Sequence, residues 1–187
     1  MKFYRQILSR TIKRMCEPSI RNGVEVGVAR GKTSVYLLNR FPDLTLWMVD
    51  TWAEAIPGTP YHATAVSFAS VSQATHDARL RETRERVARF GTRARILRQD
   101  SKSASAGFRN GELDFVFIDD DHSYEGCRSS ISAWFDKVRP GGLFCGHDYV
   151  EPRTPAFGVK RAVDEFVEES GLILVDGGAS IWWAIKP

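Results

Sequence analysis

The chain is poor in cysteine: Cys16, Cys127 and Cys145 are the only three in 187 residues. They show no paired metal spacing, which argues against a zinc ribbon, and each sits in an apolar context, which argues against a disulfide framework. Reduced thiols in or near a core, in a cytoplasmic protein, are the expectation. Long hydrophobic runs are missing as well, since no stretch approaches the ~20 apolar residues of a membrane span. Neither sign of charge dominates, with 26 Lys and Arg against 23 Asp and Glu, a net +3. So small an excess, dispersed along helices, gives no footing for nucleic acid. There is no repeat, no low-complexity tract and no second domain. One domain spanning 1–187, long enough for a single buried core, is expected.

The N-terminus lacks acid. Residues 2–15 carry Lys2, Arg5, Arg10, Lys13 and Arg14 with no Asp or Glu, and Phe3, Ile7, Thr11 and Met15 share one helical face. Residues 1–20 read as an N-terminal helix packed on the sheet edge or on a second subunit. A targeting segment is the alternative. Self-association therefore stays open.

What is present is alternation. Apolar runs at 23–27, 45–49, 94–98, 114–118, 142–146, 172–175 and 181–186 read as strands, separated by helical patterns that include 76–90, 125–138 and 158–169. Strands alternating with helices form a parallel α/β sheet. The last two strands are separated only by Asp176-Gly177-Gly178-Ala179, too short for a crossover, so they pair as an antiparallel hairpin. Residues 52–75 break the rhythm. A connection this long is usually functional, and it is read as a candidate lid loop.

The most informative stretch is Val24-Glu25-Val26-Gly27-Val28-Ala29-Arg30-Gly31. A strand ends at Gly27, the chain turns, and a helix opens after Gly31. Glycines at such a bend let backbone approach a ligand where a Cβ would collide. The next strand ends in Asp50, placed to accept both hydroxyls of a ribose. A dinucleotide site wants Gly-x-Gly-x-x-Gly to seat a pyrophosphate, and position 29 is Ala. A ligand without phosphate fits better, with Glu25 orienting the loop and receiving the ligand's cationic end. An NAD-dependent oxidoreductase is the weaker alternative. A catalytically idle nucleoside-binding module is the other.

This block resembles motif I of the class I S-adenosylmethionine-dependent methyltransferases. The second block is Phe117-Ile118-Asp119-Asp120-Asp121-His122-Ser123-Tyr124-Glu125, followed by Pro140-Gly141-Gly142 and Gly146-His147-Asp148-Tyr149. It is similar to the small bacterial branch of cephalosporin-hydroxylase-like and macrolide-sugar O-methyltransferases, over roughly residues 20–187. One departure stands out, because Asp120 replaces the branch's usual Gly.

The resemblance implies a Rossmann-like doubly wound α/β sheet of order 3-2-1-4-5-7-6, with strand 7 antiparallel. It implies S-adenosyl-L-methionine as cofactor and O-methylation of a small-molecule hydroxyl. Ligands in such sheets bind beyond the C-terminal strand ends. The expected cofactor set is therefore Glu25, Gly27, Gly31, Asp50, Trp52, Asp100, Ser101 and Asp119. Asp100-Ser101 resembles the position that meets the adenine amine, with an N-cap as the competing role. Asp119, His147 and Asp148 would hold a divalent cation, Mg, Mn or similar, that acidifies the acceptor hydroxyl. Imidazole is a poor magnesium ligand, so manganese, iron, zinc or no metal stay open. Asp119, His122 and His147 are the candidate catalytic residues, the histidines as general bases where metal is absent. Tyr124 and Tyr149 stack on an acceptor or pack in the core. Of Trp182-Trp183, one ring must face each side of the sheet.

Overall fold

The computed structural model describes residues 3–16, 20–64, 71–152 and 154–187. Seven strands form one sheet: β1 (Asn22–Val26), β2 (Thr45–Asp50), β3 (Ala94–Arg98), β4 (Leu113–Ile118), β5 (Val138–Gly146), β6 (Val175–Gly178) and β7 (Ile181–Ile185). Their spatial order is β3-β2-β1-β4-β5-β7-β6. The first five pair in parallel, while β7 runs antiparallel to both β5 and β6. The expected order and the antiparallel strand are both present.

Strand periodicity sorts side chains between two cores. Leu46, Met48, Phe115 and Phe117 face one layer, which holds α1 (Phe3–Cys16), α2 (Lys32–Arg40) and α4 (Gln73–Val87). Val49, Val116 and Ile118 face the other, which holds α5 (Ser101–Ser105), α6 (Tyr124–Trp134) and α7 (Val159–Ser170). Leu8, Ile12 and Cys16 seat α1 in the first core. That places the N-terminal helix on a face of the sheet, where burial of three apolar side chains contributes several kcal/mol, at ~1.5–3 kcal/mol each. Trp182 is buried in the second core and Trp183 packs partly buried against the first, one ring to each side. All three cysteines are free and buried. Among the described residues no helix is long and apolar enough to cross a membrane.

Two strands start away from their expected places. β5 begins at Val138 and takes in Arg139-Pro140-Gly141, with a register shift against β4 that absorbs the irregularity. β6 lies at 175–178 rather than 172–175. Ala179 and Ser180, at φ 49° and 65°, form the two-residue turn, and Gly178, which ends β6, is also at positive φ, 79°. Two successive positive φ values give the tight turn whose twist matches a hairpin. Of the expected lid, Thr59 caps the short helix α3 (Pro60–Ala63) by accepting from the His62 N–H, and residues 65–70 lie outside the described residues.

The parallel strands end together. Asp50 is the last residue of β2, and Gly27, Asp119 and His147 follow directly on β1, β4 and β5, so the topology alone gathers these groups at one edge.

Candidate active site

A cleft of about 1200 Å³ opens at this edge. That exceeds the ~300–1,000 Å³ of ordinary small-molecule sites, so a nucleoside cofactor and a small acceptor fit together. Glu25, Gly27, Asp50, Asp100, Ser101 and Asp119 line it, as do His122, His147 and Asp148.

The glycine turn is shaped by its neighbours. Gly27 sits at φ 88°, and a Cβ there would lie 2.0 Å from the Asp119 carbonyl oxygen. Only glycine lets the ends of β1 and β4 pass so closely. Asp50 then fastens the turn: Oδ2 accepts from the N–H groups of Val28 and Ala29 at 2.9 and 2.8 Å, and Oδ1 accepts from Trp52 N–H at 2.7 Å. A carboxylate has about four acceptor positions, so roughly one remains for a ribose hydroxyl. These turn amides are the donors a pyrophosphate would need, and Asp50 already holds them.

Trp52 takes a different place from the expected one. Its indole is fully buried, and Nε1 donates to the Ala29 carbonyl at 2.8 Å. It braces the turn from beneath and does not line the cleft. Gly31, at φ 66°, likewise packs against Thr83 of α4 instead of lining the cleft.

Glu25 is buried and accepts a short hydrogen bond from the Ser34 hydroxyl. Burial pushes its carboxyl up to about 8, against the lowering effect of Ser34. In the free chain it is protonated at neutral pH, and a cationic ligand group would draw that proton off.

At the β3 end, Asp100 caps α5, its Oδ1 accepting from Ser103 N–H at 2.9 Å. The bonds with Ser103 hold its carboxyl below the usual range. The Ser101 hydroxyl accepts from the Trp134 indole at 2.9 Å and lies 2.8 Å from the Ser130 hydroxyl. Ser130 reaches Asp120 Oδ2 at 2.6 Å. Asp120 therefore joins a chain of hydroxyls in the cleft wall; its Oδ1 is buried with no hydrogen-bond partner among the described residues, and burial pushes the carboxyl up to about 6.

The densest cluster lies past β4 and β5. His122 Nε2 stands 2.6 Å from Asp148 Oδ2 and 3.9 Å from Asp119 Oδ1. His147 Nδ1 stands 3.3 Å from Asp148 Oδ2 and 3.6 Å from Asp119 Oδ1. Ligand atoms of Asp119, His122 and Asp148 all fall within 4.8 Å of one another, so His122 joins the expected set and His147 stands beside it. Burial works against charge at every member. It raises Asp119, opposed by His147. It disfavours the imidazoliums, yet bonds to the aspartates win, raising His122 and pushing His147 up to about 10. Asp148 ends far below the carboxylate range despite burial, because both histidines bond to it. The two aspartates thus favour the protonated form of His147 in the absence of a cation.

Asp148 adopts φ 58°, unusual for a residue with a Cβ. Ala29, Trp52, Ala179 and Ser180 complete the non-glycine residues at positive φ among those described. Four of the five line the cleft, and Trp52 bonds to one of those four.

Tyr124 and Tyr149 turn away from the cleft. Tyr124 donates to Glu165 Oε2 at 2.5 Å and Tyr149 to Asp164 Oδ1 at 2.6 Å, both acceptors on α7. Other side chains take the walls they vacate. Tyr61 of α3 and Phe157 flank the His122 ring, with centroids 6.5 and 5.6 Å away. His76 and Arg79 reach in from α4, and Tyr4 and Arg5 from α1. None of these carries a motif, and only the acid-free N-terminus gave a hint.

The sequence pattern of a methyltransferase-domain family matches residues 24–149, which hold both blocks and every expected site residue. No curated protein matches the sequence. Solved structures match in fold. The O-methyltransferase NovP aligns with TM-score 0.70 at 20% identity, over 96% of this chain and 79% of that one. A Corynebacterium glutamicum protein aligns with TM-score 0.69 at 16% identity, over 100% and 81%. The O-methyltransferase from Bacillus cereus, in complex with SAH, aligns with TM-score 0.65 at 15% identity, over 100% and 82%. With the strand order, the phosphate-free glycine turn and a family match over two thirds of its length, the chain belongs to the methyltransferase-domain family, as a class I S-adenosylmethionine-dependent methyltransferase.

Proposed function

We propose that the protein is an O-methyltransferase acting on the hydroxyl of a small molecule, with a divalent cation assisting. The observation that carries this is the convergence of Asp119, His122, His147 and Asp148 on one small volume beside the cofactor cleft. A transferase for softer nucleophiles has less use for two carboxylates and two imidazoles there. A hydroxyl must lose its proton to attack.

The donor set fits a metal. Asp119 and Asp148 offer oxygen, and His122 and His147 offer nitrogen. Such a mixture suits manganese, iron or zinc better than magnesium. A bound cation would acidify the acceptor hydroxyl and fix its position. A histidine nitrogen must be free of its proton to hold a cation, so such binding would be weakened by acid.

The remaining roles belong to the chain. Gly27 and the turn held by Asp50 bind the cofactor's ribose side, and Asp100 and Ser101 border the adenine. Asp119 lies where the methyl group meets the acceptor. Tyr61 and Phe157 close over His122 as aromatic walls that exclude water, with α3 as part of the lid. Proximity, orientation and water exclusion supply most of the acceleration, because the methyl arrives already activated.

The test is transfer of a labelled methyl group from S-adenosylmethionine to a panel of phenols, sugars, amines and thiols. Methyl ethers as the products bear the reading out. Methylation confined to nitrogen, sulfur or carbon overturns it.

A further inference from the structure

The first turn of α1 lines the cleft, beside the start of α2 and not at the Asp50 and Asp100 strand ends assigned to the ribose and adenine. Tyr4 and Arg5 line it together with Glu25, Lys32 and Thr33. Tyr4 Oη lies 2.7 Å from Thr33 Oγ1, and Arg5 Nε donates to the same oxygen at 3.2 Å. The Tyr4 ring also sits 4.6 Å from the His147 ring, so the turn spans from the start of α2 to the metal-type cluster.

The Arg5 guanidinium lies 5.1 Å from the centre of the Tyr4 ring, but the burial of α1 does not depend on it. Leu8, Ile12 and Cys16 bury α1 against the sheet, one to three turns further on. Arg5 is only half-buried, and its bond to Thr33 uses Nε alone. Among the described residues nothing bonds to either terminal NH₂ group of the guanidinium fork, so both can serve a ligand.

The cofactor's own chemistry says which ligand group belongs there. Its ribose and adenine lie toward Asp50 and Asp100, and its methyl must reach Asp119. What is left is an α-amino acid, with an ammonium and a carboxylate. Glu25 can answer the ammonium, and an anion beside it needs a cation. The guanidinium is a planar fork that matches carboxylate geometry.

We propose that Arg5 binds the carboxylate of the cofactor's methionine moiety, which makes α1 a wall of the cofactor site rather than a packing or targeting segment. This rests on the cofactor placement above. Lys32, exposed at the same rim, is the competing cation.

Calorimetry with two ligands separates the possibilities: S-adenosylmethionine, and 5′-methylthioadenosine, which keeps the nucleoside and thioether but lacks the amino acid. Arg5→Met should weaken S-adenosylmethionine roughly 10–100-fold, the scale of a lost charge-assisted pair, and leave methylthioadenosine within about twofold. Arg5→Lys should recover part of the loss, and Lys32→Met should cost little. Equal losses for both ligands would give Arg5 a merely structural role and overturn the proposal. So would an Arg5→Met protein that binds S-adenosylmethionine as before, or a loss that follows Lys32 instead. If the unsubstituted protein binds neither ligand, the cofactor placement falls and this inference with it.

Discussion

The Trp52 indole Nε1 and the Ala29 carbonyl oxygen are 2.8 Å apart, and both residues hold positive φ, 43° and 50°. Thr83 Oγ1 reaches the same oxygen at 3.1 Å. The glycine turn is thus anchored from two sides by groups that never meet the ligand. Trp52→Phe should lower stability by about 2 kcal/mol, combining a lost hydrogen bond with a small cavity. Urea denaturation measures this, and cofactor affinity should fall as the turn loosens. A variant as stable as the parent would mean that the Thr83 bond alone suffices.

Asp50→Ala removes the acceptor of three backbone N–H groups as well as the ribose contact. S-adenosylmethionine should bind more weakly by on the order of 1.5–3 kcal/mol, and the melting temperature should drop in the same variant. Unchanged affinity by calorimetry would place the ribose elsewhere.

Glu25 makes the free protein sensitive to pH. Its folded value of about 8 stands above the ordinary 4.5, so its contribution is complete below 4.5 and is lost as pH rises to 8. Stability should fall across that window, by roughly 1.4 kcal/mol per pH unit at the steepest, and Glu25→Gln should flatten this component. The cofactor's ammonium reverses the preference. Binding of S-adenosylmethionine at pH 7 should therefore release a proton, seen as a dependence of binding heat on the buffer's ionisation enthalpy. Methylthioadenosine should show no such release. The same proton count for both ligands would detach Glu25 from the ammonium.

Chelator treatment should abolish methyl transfer and leave cofactor affinity within a few-fold, since the cation acts on the acceptor. Asp148→Ala should reproduce that split, and added manganese should restore the chelated parent but not the variant. Activity that survives both treatments would remove the metal from the reaction and leave proton transfer to the side chains.

Legibility followed the distance over which each feature is encoded. The strands were readable because each is an apolar run bounded by turns, and the final hairpin because the gap before β7 is too short for a crossover, whereas their spatial order came only with the family resemblance. Gly27, Asp50, Asp119 and Asp148 were readable because each stands at or just past a strand end, and those ends gather at one edge of the sheet. Trp52 was misplaced because its role depends on Ala29, a contact across the fold that no local spacing announces. Tyr124 and Tyr149 stand next to motif residues, yet α7 offers their hydroxyls carboxylates, and those bonds turned them away. β6 slipped because Gly177-Gly178 reads as a turn, whereas Gly178 still pairs with Ile181 and the turn falls on Ala179 and Ser180. Tyr4 and Arg5 could not be read at all, since only the docking of α1 brings residue 5 beside residue 33.

The cluster of left-handed residues sets a limit on how far this protein can be hardened. Each non-glycine residue in that conformation costs of order 1 kcal/mol or more, and glycine would return much of it. Asp148→Gly should accordingly unfold at higher denaturant than Asp148→Ala, though both lack the carboxylate. The easiest gains in toughness therefore sit on the rim of the cleft, at Ala29, Asp148, Ala179 and Ser180. A lineage pressed by heat would find its cheapest improvements where they do most harm to turnover, and would be driven instead to the helices' outer faces.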